Sequence, residues 1–220
     1  SFLVQFDWLL LGNFIVMSLL IMYGADLKKD FPIIFVGLAG GLVIESWGTQ
    51  TNLWFYYTFE RPPLWIIPAW PIASLSIDRI YRFFNRHLPD LNQKITKILY
   101  GLIFGAFYIF MLYFVRFTLD KSLTIMALIL CTFLILTPKN PRSMVITFIA
   151  GSLLGYFLEL WGTTRYCWMY YTLQTPPIFA IFAHGMAAVA FWRVTQLFHI
   201  FLPKINILKN QLFNIIVKVE

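Results

Sequence analysis

Apolar residues run along this chain in blocks close to bilayer-crossing length, separated by short polar stretches. The first block covers 2–23 and ends at a charged turn of Asp26, Lys28, Lys29 and Asp30. The second, 32–47, is short and gives way to an aromatic loop at 48–63. The third, 64–84, contains Pro68 and Pro71, which are expected to kink it. After a basic stretch at 85–97, blocks follow at 98–117, 123–137 and 143–161. A second aromatic loop at 162–177 leads to the last block, 178–201. Backbone groups in lipid must bond within their own segment, so these blocks are expected to be helices. The alternation of a membrane strand barrel is absent. The expected fold is therefore an all-α polytopic membrane protein of about seven transmembrane helices, one domain over 1–202. In the tail, 203–220, Ile205, Leu208, Leu212, Ile215 and Val219 recur at helical spacing with Lys204, Lys209, Asn210, Asn214 and Lys218 between them. That pattern predicts an amphipathic helix lying in the interface.

One stretch occurs twice. Gly37, Gly41, Glu45, Trp47, Gly48, Thr49, Trp54, Tyr56, Tyr57, Thr58, Pro62 and Pro63 recur in order as Gly151, Gly155, Glu159, Trp161, Gly162, Thr163, Trp168, Tyr170, Tyr171, Thr172, Pro176 and Pro177. Each is displaced by 114 residues, as from Glu45 to Glu159. Lys28 matches Arg142 and Arg79 matches Arg193, so the register extends past the motif. Repeat A then covers about 2–84, a linker helix 98–117, and repeat B about 122–201. Four crossings return the chain to the same side. The copies are thus expected to be parallel, in a 3+1+3 arrangement about an axis along the membrane normal.

Composition agrees with this pattern: 60% of residues are hydrophobic and only 12% charged, about half the charge of a soluble domain. The net charge of +7 is then no sign of nucleic acid, because basic residues of membrane proteins collect at cytoplasmic ends and near anionic lipid. Lys28, Lys29, Arg82, Arg86, Lys94, Lys97, Lys139, Arg142 and the tail fall on one side, against Arg61, Arg116, Lys121 and Arg165 on the other. This predicts an inner-membrane protein with its N-terminus outside, its C-terminus cytoplasmic and both aromatic loops outside. Asp78, Arg79 and Arg193 are expected to snorkel to the cytoplasmic interface. Cys131 and Cys167 lack metal or redox spacing and read as separate thiols. The start, Ser1-Phe2-Leu3, has no basic region of a cleavable signal peptide.

The candidate chemistry lies in the repeated motif. Gly, Gly and Glu at four-residue spacing share one helical face, and the glycines let another helix approach closely. Gly101 and Gly105 have the same spacing and the same expectation. Gly48 and Gly162 are placed to stop their helices. Glu45 and Glu159 thus lie on packed faces within about a turn of the helix ends. Two readings stay open. Each carboxylate can be structural, paired with Arg61, Arg116 or Arg165, or it can be a proton donor or acceptor in a membrane site. His184, whose counterpart is Trp70, lies roughly 10 Å below the Pro-Pro start of its helix. It either bonds a neighbouring helix or joins the glutamates as a third catalytic candidate. Trp47, Trp54, Tyr57, Trp70, Trp161, Trp168 and Tyr171 are the candidate substrate-binding aromatics. No ligand spacing supports a metal, and no cofactor is expected. Phosphate loops, nucleophile elbows and zinc-protease motifs are absent.

The run Glu45-Ser46-Trp47-Gly48, Trp54-Phe55-Tyr56-Tyr57-Thr58, Pro62-Pro63 and Ile67-Pro68-Ala69-Trp70 resembles the integral-membrane carotenoid hydratases of the bacterioruberin type. The layout is more loosely similar to the small membrane lycopene cyclases. The resemblance covers about a quarter of the chain. The Phe-rich Gly turn of the hydratases and the Pro-x-Glu-Glu of the cyclases are missing. It implies a hydrophobic isoprenoid or pigment as partner, besides membrane lipids, and proton-driven alkene chemistry with Glu45 and Glu159 as acids. Two other classes stay open: a non-catalytic structural or pigment- and lipid-binding subunit of a larger membrane complex, and a small-solute transporter. The Pro-Gln signature of the small sugar transporters is absent from the first block.

Overall fold

Side-chain acceptors stand immediately before three of the long helices and fix where they begin. Asp26 accepts the Lys28 and Lys29 amides and opens α2 (Leu27–Gln50). Asn92 accepts the Lys94 amide and opens α4 (Gln93–Val115). Asn140, at the position matching Asp26, accepts the Ser143 amide and opens α6 (Pro141–Thr164). Each satisfies backbone donors that a helix start leaves without partners. The remaining helices are α1 (Phe2–Met22), α3 (Ala69–His87), α5 (Ser122–Leu136) and α7 (Ile178–Ile216). The computed structural model describes residues 2–90, 92–137 and 140–216, with side chains for 7–90, 92–137 and 140–200.

The protein is mostly helical, and four helical stretches, Leu27–Gln50, Gln93–Thr118, Pro141–Thr164 and Ile178–Ile200, are long and apolar enough to cross a membrane. The other expected crossings do not meet that measure among the described residues. The described side chains of α1 and the whole of α5 form shorter apolar helices, Asp7–Met22 and Ser122–Leu136. Helix α3 carries Asp78, Arg79, Arg82 and Arg86, which break its apolar run. The last helix does not end near 201; its backbone continues through Pro203 to Ile216. The amphipathic face expected over 203–220 lies outside the residues whose side chains are described.

Packing centres on α6, which is buried along most of its length and lies against α7, α3 and α4. Helix α2 packs on α3 in the same way. The glycine faces set both approaches. A Cβ on Gly37 would come within 2.6 Å of Ser74 Oγ, and one on Gly151 within 2.8 Å of the His184 carbonyl oxygen. Helix α4 is no mere linker, since Phe107, Met111, Phe114 and Val115 are core residues. Its glycines behave differently from expectation: Gly101 and Gly105 have nothing within 4 Å of a built Cβ and face away from the packed side.

Three further expectations are corrected. Gly48 and Gly162 do not stop their helices, which run on to Gln50 and Thr164. They are glycine because an indole occupies the place of a side chain: a Cβ would lie 1.9 Å from Trp54 Cη2 and 2.0 Å from Trp168 Cη2. Pro68 and Pro71 do not kink α3; they stand at its cap and first turn, where a missing N–H costs nothing. Arg79 does not snorkel. It is 6% exposed, and its guanidinium meets Asp30 Oδ2 at 2.7 Å and Asp78 Oδ2 at 2.6 Å. Asp30, buried on the facing α2, makes an internal ion pair available, and once both charges are buried they need each other. Arg193 instead donates to Thr137 Oγ1 at 3.1 Å.

The aromatic loops contain the elements that helical periodicity could not show. Trp54–Tyr56 forms β1 and Trp168–Tyr170 forms β2, paired antiparallel. Phe55 faces Met169, Trp54 faces Tyr170 and Tyr56 faces Trp168, so the ladder is symmetric about the Phe55–Met169 pair, where matching positions face each other. The Tyr57 amide bonds the Cys167 carbonyl at 3.2 Å, and the Tyr171 amide bonds the Leu53 carbonyl at 3.1 Å. Aromatic residues favour extended backbone, and each strand is half of the other's pairing surface.

Replacing Gly48 or Gly162 by Ala is expected to cost about 1–3 kcal/mol through overpacking against the indole. Gly101→Ala, in open space, is expected to leave stability unchanged or raise it. Thermal unfolding in detergent checks this; equal effects at all three positions would contradict the indole-in-glycine arrangement.

Candidate functional site

Glu45 and Glu159 lie on α2 and α6 about a turn before the paired loops, and both are buried, at 5% and 3% exposure. A carboxylate withdrawn from water needs donors, and the strands supply them. Residues i and i+2 of a strand point the same way, so Trp54 and Tyr56 both reach Glu45, and Trp168 and Tyr170 both reach Glu159. Glu45 Oε2 accepts Trp54 Nε1–H at 3.0 Å and the Tyr56 hydroxyl at 2.7 Å. Its Oε1 accepts Trp70 Nε1–H at 3.0 Å. Glu159 Oε2 accepts Trp168 Nε1–H at 3.0 Å, and its Oε1 accepts the Tyr170 hydroxyl at 2.8 Å. In the place of Trp70, His184 Nε2 stands 3.0 Å from Glu159 Oε1. Burial, and then the adjacent carboxylate, hold the Tyr56 and Tyr170 phenols well above their ordinary pKa. Both therefore stay protonated and donate.

The two glycines one turn before each glutamate's own turn make room for the third partner. A Cβ on Gly41 would lie 2.2 Å from Trp70 Cγ, and one on Gly155 2.4 Å from His184 Cβ. Trp70 and His184 then meet: their rings stack with centroids 5.8 Å apart and planes 17° from parallel. Glu45, Trp70, His184 and Glu159 thus form one continuous chain of contacts between the two copies of the motif. All four line one cavity of about 660 Å³, within the ordinary range for a small-molecule site. Its other walls are largely apolar, from Phe35, Val36 and Val43 on α2, Leu130 and Leu134 on α5, and Ala187, Phe191 and Val194 on α7.

The sequence-derived candidates divide. Glu45, Glu159, His184, Trp47, Trp54, Trp70, Trp161 and Trp168 all line this cavity. Tyr57 and Tyr171 do not. Tyr57 is 60% exposed, and the Tyr171 hydroxyl donates to the Phe114 carbonyl. Tyr56 and Tyr170 take the places expected for them, because strand alternation turns the second tyrosine of each pair outward. The Trp-x-Tyr spacing carries that signal once the loop is read as extended. The arginines do not partner the glutamates. Arg165 pairs with Asp7, Arg116 donates to the Tyr113 carbonyl and lies over the Tyr113 ring, and Arg61 is exposed. Cys131 and Cys167 are free thiols, and Cys131 is part of the cavity wall. No family model, curated protein or solved structure matches this chain.

The copies differ in what the carboxylate can exchange. All three partners of Glu45 can only donate or do donate, since an indole N–H has no acceptor. His184 can accept as well as donate, so a proton can lie on either side of the Glu159–His184 contact. His184 Nδ1 makes no hydrogen bond among the described residues and is the nitrogen left for a ligand or water. A glutamine at 45 must turn its NH₂ toward Trp54 or Trp70, leaving one indole N–H without an acceptor. One at 159 can accept from Trp168 while donating to the Tyr170 oxygen and His184 Nε2. Glu45→Gln is therefore expected to cost about 1–3 kcal/mol, and Glu159→Gln markedly less. Paired thermal melts in detergent check the difference; equal losses would count against it.

Proposed function

We propose that the protein is a membrane-embedded enzyme that takes an isoprenoid-like lipid into the cavity and moves a proton to or from one of its carbon–carbon double bonds. The observation that carries this reading is the Glu159–His184 pair, 3.0 Å apart, set in the wall of a largely apolar cavity large enough for a lipid chain. His184 is the acid–base group that meets the substrate, and Glu159 positions it and balances its charge. The proton leaves His184 for one alkene carbon, the π pair forms the new C–H bond, and the neighbouring carbon becomes a tertiary cation. The cation then loses a proton back to the imidazole, giving an isomer, or is captured by water, which returns a proton to the imidazole, giving an alcohol. The faces of Trp54, Tyr56, Trp168 and Tyr170 surround the site and suit a transient cation. The Trp70 ring, stacked on His184, suits an imidazolium in the same way. This chemistry is of the kind the resemblance to carotenoid hydratases implies.

The matched contacts support the finer architecture. Both copies repeat the glutamate–strand hydrogen bonds, the glycine–indole packing and the threonine bonds from Thr49 to the Glu45 carbonyl and Thr163 to the Glu159 carbonyl. The antiparallel ladder, symmetric about the pairing of Phe55 with its equivalent Met169, is what a twofold axis along the membrane normal between parallel repeats produces. In this reading α1, α3 and α5 complete seven crossings in the inner membrane, the termini lie on opposite sides, and the paired loops face out. A second reading is favoured by Glu45, whose three donors make it a structural anchor: a pigment- or lipid-binding subunit using the same cavity without turnover.

Deuterium uptake separates the two. Wild-type protein in D₂O, given lycopene in lipid nanodiscs, is expected to return substrate or product about one mass unit heavier per turnover. His184→Trp, which rebuilds around Glu159 the donor set of Glu45, is expected to abolish uptake while the protein keeps its thermal midpoint and still binds the carotenoid. Uptake unaffected by this substitution would sink the acid–base role. Binding without uptake in the wild type would favour the second reading.

A further inference from the structure

Helix α4 lies between the two halves of the chain in sequence and covers only the second. It packs against α6 and α7. Phe107 and Phe114 lie over the Phe179 ring, with centroids 6.2 and 4.2 Å away, and Phe110 meets Phe182 at 5.6 Å. Its last turn reaches the second aromatic loop, where the Phe114 carbonyl accepts the Tyr171 hydroxyl at 2.8 Å. Val145, Phe148, Phe179 and Met186 join the core beside it, each 8% exposed or less.

The positions 114 residues earlier are Phe31, Ile34, Trp65 and Ile72. They are apolar too, yet they are between 37% and 69% exposed. Leu38, a turn beyond Ile34, and Tyr57, in the place of Tyr171, are also exposed. Phe31, Ile34 and Leu38 recur at helical spacing on one side of α2, and the Tyr57 and Trp65 rings lie 6.1 Å apart. Among the described residues no helix packs over this α2–α3 face as α4 packs over α6 and α7. Outward residues of α4 and α5 are exposed as well. This face differs from theirs, because its positions are the ones that the other half buries under a helix.

We propose that a second copy of this chain covers the α2–α3 face, in a dimer with its twofold axis along the membrane normal. Copies inserted the same way round can pair about no other twofold axis, and such a pairing sets the face against itself. None of the six residues is charged, so no charge meets its like across the axis. With about 150–250 Å² for a fully covered aromatic side chain, the exposed parts of the six come to roughly 600 Å² per copy. The pair then buries about 1,200 Å², where the range of stable interfaces begins. Trp65 gives the pairing a consequence inside the molecule, because it forms part of the cavity wall. Its counterpart Phe179 is sealed by Phe107 and Phe114; the partner copy seals Trp65 in the same way.

Cross-linking in membranes, before any detergent is added, tests the pairing. Ile34→Cys and Ile72→Cys, treated with a short bismaleimide, are expected to give linked dimers above the background of the wild type, whose free thiols are Cys131 and Cys167. Leu102→Cys, on α4 and more exposed than either, is expected to give none. Native mass spectrometry of the extracted full chain should show two chains together. Phe31→Ala combined with Ile72→Ala should raise the dimer dissociation constant about tenfold, the size of one well-packed interface residue. Links through the Leu102 position alone, a monomer both in membranes and after extraction, or a dimer unchanged in the double variant overturns this inference. So does capture of a different protein at positions 34 and 72 in place of a second copy.

Discussion

A carboxylate taken out of water has to be given hydrogen-bond donors, because neither lipid nor an apolar core can replace its hydration. That requirement organises one end of this protein. Two glutamates are buried on α2 and α6, and the chain beyond each helix turns back as a short strand whose alternate residues supply an indole and a phenol. Neither strand is long enough to hold its shape alone, so the two pair with each other. The indoles need space beside the helices, which is why glycine stands at 48 and 162. A third partner comes from the next helix, admitted by glycine at 41 and 155. Strand pairing, helix contact and glycine placement are thus consequences of satisfying two buried carboxyl groups.

Both copies of the motif share this solution, and they differ in the third partner of the glutamate. Trp70 can only donate to Glu45, so that half is locked. His184, 3.0 Å from Glu159 in the other half, can accept a hydrogen bond as well as donate one. The stacking of Trp70 on His184 joins them. The same divergence appears at the paired tryptophans. Thr124 completes the hydrogen bonding of Trp47, whereas the Trp161 indole N–H is buried without a partner among the described residues.

The opposite end solves the burial of charge by another route. Arg79 is enclosed with Asp30 and Asp78, and Arg82 reaches Asp78 at 2.8 Å from the partly exposed side. Gly24 leaves room for the arginine, since a Cβ there would lie 3.1 Å from Arg79 Nε. Among the described residues the matching Arg193 has only a threonine hydroxyl. Breaking such an enclosed pair on one side costs more than the pair itself contributes, because it strands the other charge. The network therefore fixes how α2 and α3 meet rather than supplying bulk stability.

Much of this was legible in the chain. Long apolar blocks specify helices because lipid and core alike forbid open backbone, and glycines four apart beside a glutamate specify a packed face. The recurrence of one string at a fixed offset ties two glutamates, two indoles and two tyrosines to equivalent places. What the sequence could not decide was which groups meet across those places. Helical periodicity says nothing about a three-residue strand whose partner lies over a hundred residues away, so the roles of Tyr56 and Tyr170 passed to their neighbours. Arg79 read as a snorkelling residue because Asp30 is distant in sequence and adjacent only after α2 and α3 pack. The joining of Glu45 and Glu159 through Trp70 and His184 depends on side chains from separate helices meeting at one wall. Composition and spacing set what each residue can do; only tertiary packing sets with which partner it does so.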